Sequence, residues 1–389
     1  MKIAVIGVKG LPAKQGGIEH YCEALYPKIV EREHSVDLFA RSSYVNKPWF
    51  SVYEHKGVRI ICLPSFPVRG LDALTNSFFA ALVASYKSYD IVHFHALGPA
   101  LFSIIPRLLS SAKIVVTCQG LDWQRAKWGK LSSKIIHLGE KTAAIYAHEI
   151  VVVSKTLKAY FAENYYLRPI YIPNGPGIYA ASDPHLESVK SWGLTPGKYL
   201  LFLGRLVPEK RPDFLIQAFQ ILKKTGWKLA IAGGDSDTTA YIARLHELAK
   251  GNPDIVFTGE LEGTSLAEIV KGAGLFVSPS SLEGLPLAML EAMREGVPVV
   301  ASDIAPHRQL LEGDRGLLFD SDSVLACAKA LEQGMLYLEQ MAAMAQKAQA
   351  HVKAHYDWSK ISADNLAVYA KDFGLVESNI NSTQLLMEN

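Results

Sequence analysis

The chain has 389 residues, a formal net charge of +2 at pH 7 and 49% apolar residues. That length exceeds one ordinary hydrophobic core and predicts two well-packed domains, while the nearly balanced charge gives no reason to expect nucleic acid as a partner. The four cysteines are widely spaced and include no C-x-x-C pair, so we expect a reducing cytosol and neither a zinc site nor a disulfide framework.

The first half alternates short Val/Ile-rich runs with segments of helical apolar spacing, such as Tyr21 to Glu33. The predicted strands are Lys2 to Ile6, Val36 to Ala40, Val58 to Leu63, Ile91 to His95, Lys113 to Cys118, Glu149 to Val153 and Ile170 to Ile172. The first run is too short for a secretion signal, and no apolar stretch reaches the roughly 20 residues that cross a bilayer. We therefore expect a cytoplasmic protein with at most a peripheral contact at the inner membrane surface.

The same alternation restarts after the Pro/Gly-rich segment Pro173 to Gly177. The predicted strands of this half are Tyr199 to Leu203, Lys228 to Ala232, Ile255 to Thr258, Leu275 to Ser278 and Val297 to Ala301. Apolar strands joined by helical crossovers are typical of parallel sheets covered on both faces. The predicted fold class is therefore α/β, with two Rossmann-like doubly wound domains at 1–176 and 177–357 that face each other across a cleft. A helix at 358–373 is expected to pack back on the first domain, ahead of a polar tail at 374–389.

Glycines follow the first strand, in G-V-K-G-L-P-A-K-Q-G-G-I-E. Gly16 and Gly17 stand ahead of a helix, where backbone without Cβ atoms approaches an anion closely. The spacing is not G-x-G-x-x-G, and the second strand ends in Phe39-Ala40-Arg41 without a ribose-binding acid, so a dinucleotide site is not predicted. A plain turn is the alternative interpretation of this pair.

Tryptophans and basic residues interleave from Trp123 to Lys134, with no acid after Asp122. Such a pattern suits a membrane interface or stacking on a sugar. A solvated loop with two packed tryptophans explains it equally well. Our hypothesis is that the segment receives a lipid-linked or growing polysaccharide acceptor.

Three cations follow the first strand of the second half, in G-R-L-V-P-E-K-R-P. A guanidinium grips two oxygens at once and an ammonium adds a movable point charge, so Arg205, Lys210 and Arg211 suit a diphosphate. Alone they would be ordinary surface charges. Their predicted position on the cleft wall favours the diphosphate.

The stretch F-V-S-P-S-S-L-E-G-L-P-L-A-M-L-E, from Phe276 to Glu291, has the pattern of a strand, a loop and a helix start. Glu283 lies in the loop, and the backbone N–H groups of Gly284 and Leu285 stand at the positive end of the coming helix, which suits phosphate or sugar oxygens. Glu291 follows about one and a half turns into that helix. A solvated pair of acids is the alternative interpretation.

These motifs resemble the retaining glycosyltransferases of family 4, which have the GT-B fold. The resemblance is carried by G-G-I-E, P-N-G, G-R-L-V-P-E-K, F-T-G-E-L and S-L-E-G-L-P-L-A-M-L-E, and it covers nearly the whole chain. The N-terminal third resembles the polysaccharide-biosynthesis type of the family.

Matched by position, the resemblance implies a donor site with these members: Arg205 and Lys210 at the diphosphate, Glu291 at the ribose, Gly16 and Gly17 near the phosphates, Gly259 and Leu261 beside the base, and Gly284 and Leu285 with Glu283 at the transferred sugar. It also implies that no metal and no cofactor is needed, because the cations and the helix dipole neutralise the leaving diphosphate. The nucleotide sugar is then a co-substrate.

One position departs from the family. Where the family often has a His, the segment T-C-Q-G-L-D-W-Q has Gln119, which hydrogen-bonds a hydroxyl but takes no proton. If the departing phosphate accepts the acceptor's proton, no protein base is required. Asp122, His93 and His95 are the alternatives, and the predicted catalytic residues are Glu283, Gln119 and Asp122.

The predicted function is transfer of a sugar from a nucleotide diphosphate to a glycan or lipid-linked acceptor, with retention. Two alternatives stay open at this point. One is a nucleotide-sugar 2-epimerase, which shares two Rossmann-like halves, and the other is a catalytically silent nucleotide-sugar-binding partner of an assembly complex. The sequence selects neither the base of the donor nor the sugar.

Overall fold

The computed structural model describes residues 1–13, 16–66, 68, 70–124, 129–177, 179, 182–222, 226–234 and 239–371. Within them the chain forms two lobes, each on its own sheet. The first sheet has the order β3-β4-β2-β1-β5-β6-β7-β8, with strands at Lys2–Ile6 (β1), Ser35–Arg41 (β2), Val52–His55 (β3), Val58–Leu63 (β4), Ile91–His95 (β5), Lys113–Cys118 (β6), Glu149–Val152 (β7) and Ile170–Tyr171 (β8). The second has the order β11-β10-β9-β12-β13-β14, with strands at Tyr199–Leu203 (β9), Lys228–Ala232 (β10), Ile255–Gly259 (β11), Leu275–Ser278 (β12), Val299–Ser302 (β13) and Leu317–Phe319 (β14).

Helices connect the strands of both sheets. Those of the first lobe are Gly17–Val30 (α1), Ser42–Val45 (α2), Leu71–Tyr86 (α3), Leu97–Ala100 (α4), Ile104–Leu109 (α5), Lys130–Tyr146 (α6) and Lys155–Tyr165 (α7). Those that follow are Glu187–Ser191 (α8), Pro212–Ile221 (α9), Thr239–Ala249 (α10), Gly263–Lys271 (α11), Leu287–Arg294 (α12), Ala305–Leu311 (α13), Val324–Leu336 (α14), Leu338–His355 (α15) and Trp358–Ala370 (α16). The predicted α/β class with two parallel-sheet domains is confirmed.

Two edge strands, β3 and β14, are not among the strands predicted from the sequence. β3 is antiparallel to β4 and joined to it by a two-residue turn at Lys56 and Gly57, both with positive φ. Its residues alternate between exposed and half-buried, so it lacks the continuous apolar run that identified the buried strands. β14 has only three residues, which is too short for any periodicity to be visible.

In each sheet the strand order reverses at one point. In the first sheet this lies between β1 and β5, and in the second between β9 and β12. Loops that leave neighbouring strands in opposite directions open a crevice at the carboxyl ends, where α/β proteins bind ligands. The loops after β1, β9 and β12 carry the predicted glycines, cations and Glu283.

The faces of the first sheet are covered by different helices. α3, α5 and α6 pack on one face around Ala80, Ala84 and Ala143, while α1 and α16 pack on the other. Asp357 caps α16 by accepting from the N–H groups of Ser359 and Lys360. Because α16 follows the second lobe in the sequence and packs on the first, the chain returns there to the first lobe. The predicted limits of the domains stay predictions, and residues 372–373 and the tail at 374–389 lie outside the described residues.

Candidate active site

Glu283 lies in the loop between β12 and α12, where it meets a cation from the loop after β9. Lys210, at the end of a 3₁₀ turn, donates from Nζ to Glu283 Oε1 at 2.5 Å, and the Glu283 side chain is 8% exposed. Burial by itself would raise the pKa of Glu283, but the charge of Lys210, with smaller contributions from His307 and Ser280, lowers it. The loop after β12 therefore supplies an ionised carboxylate, and the loop after β9 supplies an ammonium, at the point where the strand order of the second sheet reverses.

Glu291 lies on α12 in different surroundings. Its carboxylate accepts from the Tyr179 hydroxyl at 2.6 Å and from the Gly177 N–H at 3.0 Å. Burial raises the pKa of Glu291, and these hydrogen bonds only partly oppose that effect. Arg294 lies 4.9 Å from the centre of the Tyr179 ring and donates to the Gly177 carbonyl, so the interdomain linker is bound directly to α12.

The two lobes touch at predicted site residues. A Cβ atom on Gly284 would lie 2.3 Å from the carbonyl oxygen of Gln119, so the Glu283 loop approaches the first lobe as closely as a glycine permits. A Cβ on Gly17 would lie 3.3 Å from Leu287 Cδ1, at the start of α12. Residues from the loops after β1, β6 and β12 are therefore brought together across the cleft. Leu285 is buried in the apolar cluster that spans both lobes.

Gln119 is oriented by the linker. Its Oε1 accepts from Asn174 Nδ2 at 2.6 Å, whereas its Nε2 is buried and has no hydrogen-bond partner among the described residues. Asp122 begins a 3₁₀ turn a few residues later and donates its N–H to the Gly120 carbonyl. Gln119 thus presents a donor nitrogen whose partner the described side chains do not supply.

The two histidines considered as alternatives lie in the core. The Tyr26 hydroxyl and His95 Nε2 are 2.6 Å apart, and His93 contacts the hydroxyls of Tyr369 and Thr117 at 2.7 Å each. Burial lowers the pKa of His95 to about 3 and that of His93 well below its usual value. Both rings are therefore neutral at neutral pH, and the buried Nδ1 of His95 has no hydrogen-bond partner among the described residues. The alternative that either of them serves as the base stays a prediction.

The carboxyl ends of β9, β10 and β11 form the other wall of the predicted donor site. Arg205 is half-buried just after β9, Gly259 is exposed at the end of β11, and Leu261 packs against the shared apolar cluster. A Cβ on Gly233 would lie 1.9 Å from the Gly204 carbonyl oxygen, so the backbones of two neighbouring strand ends are in direct contact.

Arg211 does not join Lys210 at Glu283. Its guanidinium lies 4.2 Å from the centre of the Phe214 ring and donates to the Ser321 carbonyl. Arg211 has a φ of 53° at the start of α9, and its side chain packs against that helix. The sequence pattern groups Arg211 with Arg205 and Lys210, because adjacency along the chain does not reveal in which direction each side chain points.

The predicted acceptor segment is anchored at Trp123. The indole N–H donates to Glu140 at 2.8 Å, and this buried carboxylate also accepts from the hydroxyls of Tyr160 and Tyr165. Trp123 is therefore turned inward. Residues 125–128 lie outside the described residues, and a membrane contact through Trp123 to Lys134 stays a prediction.

The sequence analysis missed Tyr179, Arg294, Asn174 and Gly233. Asn174 lies in the P-N-G motif that was quoted only as a linker, and Gly233 belongs to a Gly-Gly pair directly after a predicted strand. Both motifs are visible in the sequence and could have identified Asn174 and Gly233. No local pattern links Tyr179 or Arg294 to Glu291, since these contacts join distant parts of the chain.

The described residues contain neither a cluster suited to a metal ion nor a helix suited to crossing a membrane. Within that part of the chain, no three His, Cys, Asp or Glu side chains lie close enough together to hold a metal ion. None of its helices combines the length and the hydrophobicity that spanning a bilayer requires. Metal independence stays a prediction.

Comparisons with known proteins place these features in context. The family described as Glycosyl transferase 4-like domain matches residues 16–175, and that described as Glycosyl transferases group 1 matches residues 187–351. An uncharacterised glycosyltransferase of Methanocaldococcus jannaschii is 26% identical, over 95% of this chain and 98% of its own. A GDP-mannose-dependent alpha-(1-6)-phosphatidylinositol monomannoside mannosyltransferase of Mycobacterium tuberculosis is 24% identical, over 93% and 97%.

A solved structure extends the similarity to the fold. Sucrose-phosphate synthase from Thermosynechococcus elongatus superposes with a TM-score of 0.82 at 21% identity, over 95% of this chain and 98% of that one. At such low identity the similarity demonstrates the fold alone. The expectation of a GT-B architecture is confirmed by it.

Proposed function

Since this chain belongs to the glycosyltransferases of family 4 and has the GT-B fold, we propose that it moves a sugar from a nucleotide diphosphate to a glycan or lipid-linked acceptor in polysaccharide biosynthesis, with retention. The observation that carries the proposal is the meeting of Glu283, Lys210 and the Gln119 loop. A carboxylate and a cation at the reversal of the second sheet meet the loop after β6 of the first lobe, which carries an unpartnered hydrogen-bond donor. The name of the mycobacterial relative, with its GDP-mannose donor and lipid acceptor, supports the same class of reaction.

In the proposed mechanism the donor diphosphate lies against Arg205 and Lys210. Charge develops on the leaving diphosphate as its bond to the sugar C1 breaks, and fixed cations stabilise that charge most effectively in a site that excludes water. The amides of Gly284 and Leu285, before α12, add the positive end of a helix. Glu291 receives the ribose hydroxyls, and Gly259 and Leu261 border the base.

The proposed route to retention uses one face of the sugar. The acceptor oxygen bonds to C1 on the side from which the diphosphate departs, and the acceptor's proton passes to a departing phosphate oxygen. No protein base is needed in this scheme, which is compatible with Gln119 and with neutral, buried histidines. Glu283, kept ionised by Lys210, stabilises positive charge that develops on the sugar ring.

The experiment that tests this proposal uses the purified chain with UDP-, GDP- and dTDP-sugars. A thermal-shift screen identifies the donor, because a ligand that binds only the folded state raises the melting temperature. Proton NMR of the product then reports the anomeric configuration, with and without a chelator. Inversion would overturn retention, loss of activity with the chelator would overturn metal independence, and a changed sugar without acceptor would favour the 2-epimerase.

A further inference from the structure

Helix α3 is amphipathic, but its small and polar side chains face the core and its large apolar side chains face solvent. Its buried residues are small or polar: Asn76, Ser77, Ala80, Ala81, Ala84 and Ser85. The side chains it presents to solvent are large and apolar, with Leu71 43%, Phe78 39% and Tyr86 84% exposed. A surface helix of a globular protein ordinarily does the opposite.

Helix α6 continues this exposed apolar surface and adds positive charge. Leu131 is 74%, Leu138 53% and Ile145 51% exposed. Between them the side chains of Lys130, Lys134 and Lys141 are exposed as well. Apolar and basic side chains therefore alternate along the outer side of this helix.

The two helices face the same direction. α3, α5 and α6 pack on one face of the first sheet, and α5 lies between the other two, contacting both. Phe78 contacts Phe102, just before α5, with ring centres 5.6 Å apart, and Leu108 on α5 is exposed. We call the outward side chains of α3, α5 and α6 the outer helical face.

The outer helical face carries almost no negative charge. Its three helices contain two acids, Asp72 and Glu140. Asp72 is paired with Arg41 at 2.8 Å, and Glu140 is buried beneath Trp123 and two tyrosines. The basic residues of the same helices, including Arg107 on α5, thus give the face a net positive potential.

We propose that the outer helical face docks on the surface of an anionic phospholipid bilayer. Lysines next to exposed leucines suit a lipid interface, where the apolar side chains enter the acyl boundary and the ammonium groups meet lipid phosphates. A protein partner is less suited, because the cores of protein interfaces are depleted of lysine. Lys130, Leu131 and Lys134 of this face belong to the predicted segment Trp123 to Lys134, whereas Trp123 itself turns inward.

Docking in this orientation sets the cleft beside the membrane. α3 and α6 both begin at the carboxyl ends of strands, and the connection from β6 to α6 contains Gln119. The surface thus adjoins the side of the cleft that we assign to the acceptor. Binding to lipid does not depend on the proposed sugar transfer, so the two proposals fail separately.

Vesicle flotation of the full chain tests the proposal. We expect binding to phosphatidylcholine vesicles that contain phosphatidylglycerol, little binding to phosphatidylcholine alone, and release at high salt. Replacing Lys130, Lys134 and Lys141 with Gln should weaken the binding about 100-fold, since each lysine near an anionic surface contributes about 1 kcal/mol. Leu131→Ser with Leu138→Ser should also weaken it, but should leave the salt dependence unchanged.

The matched control replaces three exposed lysines of α14 and α15, Lys329, Lys347 and Lys353, with Gln. It removes the same charge elsewhere on the surface and should leave binding unchanged. The proposal is overturned if this control weakens binding as much as the α6 variant does, or if the α6 variants bind like the wild type. It is equally overturned if the chain ignores the vesicles but self-associates in sedimentation velocity through the same face.

Discussion

The loop before α12 and the helix itself each hold a buried carboxylate, and their surroundings shift the pKa of these two carboxylates in opposite directions. Glu283 is buried beside a cation, and its pKa is lowered because the charge of Lys210 outweighs burial. Glu291 is buried among neutral donors, and its pKa is raised because burial outweighs hydrogen bonding. Two acids eight positions apart in an E-x7-E pattern are therefore not equivalent. The first is kept charged, whereas burial makes the charged form of the second less favourable.

The largest expected effect is that of Glu283→Gln on turnover. The amide keeps the shape of the side chain but removes the negative charge, and we expect kcat to fall about 100- to 1,000-fold, as for the loss of other electrostatic groups in active sites. The donor dissociation constant should change far less. Steady-state rates with calorimetric donor binding measure the two separately. A kcat close to that of the wild type would remove Glu283 from the reaction.

The contact of the Glu283 loop with the first lobe predicts the next effect, that of Gly284→Ala. A Cβ at 2.3 Å from the Gln119 carbonyl oxygen forces two backbones apart, and a displacement of this kind costs about 100-fold in kcat/KM. Gly98→Ala, on α4 and outside the proposed donor site, is the matched control, because its Cβ would meet only the Ile136 side chain at an ordinary 3.8 Å. Equal effects of the two substitutions on kcat/KM would mean that the lobes do not close through Gly284.

Removing the cation sharpens the comparison further. Lys210→Ala should weaken donor binding about 10- to 100-fold, the effect of losing one hydrogen bond to a charged group, and Arg205→Ala should act in the same direction. Without Lys210, burial raises the pKa of Glu283, so activity that needs the ionised carboxylate should be lost at a higher pH as the solution is acidified. Donor titrations and the acidic limb of the kcat/KM profile measure both effects.

Arg211→Ala is the control for the cation variants. It removes the neighbouring positive charge, yet the structure commits that side chain to Phe214 and Ser321. It should lower the melting temperature while donor affinity stays near the wild-type value. Donor affinity reduced as much as in Lys210→Ala would show that net charge, rather than position, binds the diphosphate.

The smallest expected effect is that of Glu291→Gln on stability. A raised folded-state pKa means that the folded chain binds the proton more tightly, so the stability from this group is present below the unfolded value of about 4.3 and is lost as pH rises through the folded pKa. A neutral amide avoids that loss and should raise the melting temperature by about 2 °C at neutral pH.

The gain from Glu291→Gln should be smaller at acidic than at neutral pH, because acidification protonates Glu291 in the wild type. Glu283→Gln should do the reverse and lower the melting temperature at neutral pH, since it leaves Lys210 without its counter-charge. Differential scanning calorimetry at the two pH values checks both. Equal shifts for the two variants would mean that the carboxylates share one environment.

The α/β class, twelve of the strands and the loops that carry the candidate site could be predicted from the sequence alone. Buried parallel strands are continuous apolar runs, and the loops that follow such strands meet at one edge of the sheet. Both features can therefore be recognised from the local sequence. The edge strands β3 and β14 escaped because one is half-exposed and the other very short. Gln119 and Glu283 were named from motifs and a resemblance, and their roles stay predictions.

How these residues act on one another becomes visible only in the packed fold. It pairs Lys210 but not Arg211 with Glu283, binds Tyr179 to Glu291, and buries His93 and His95. The physical reason is that charge state depends on burial and on partners contributed by distant segments, which no local pattern encodes. The direction of a side chain, unlike the period of a strand, is fixed only when the whole chain has packed around it.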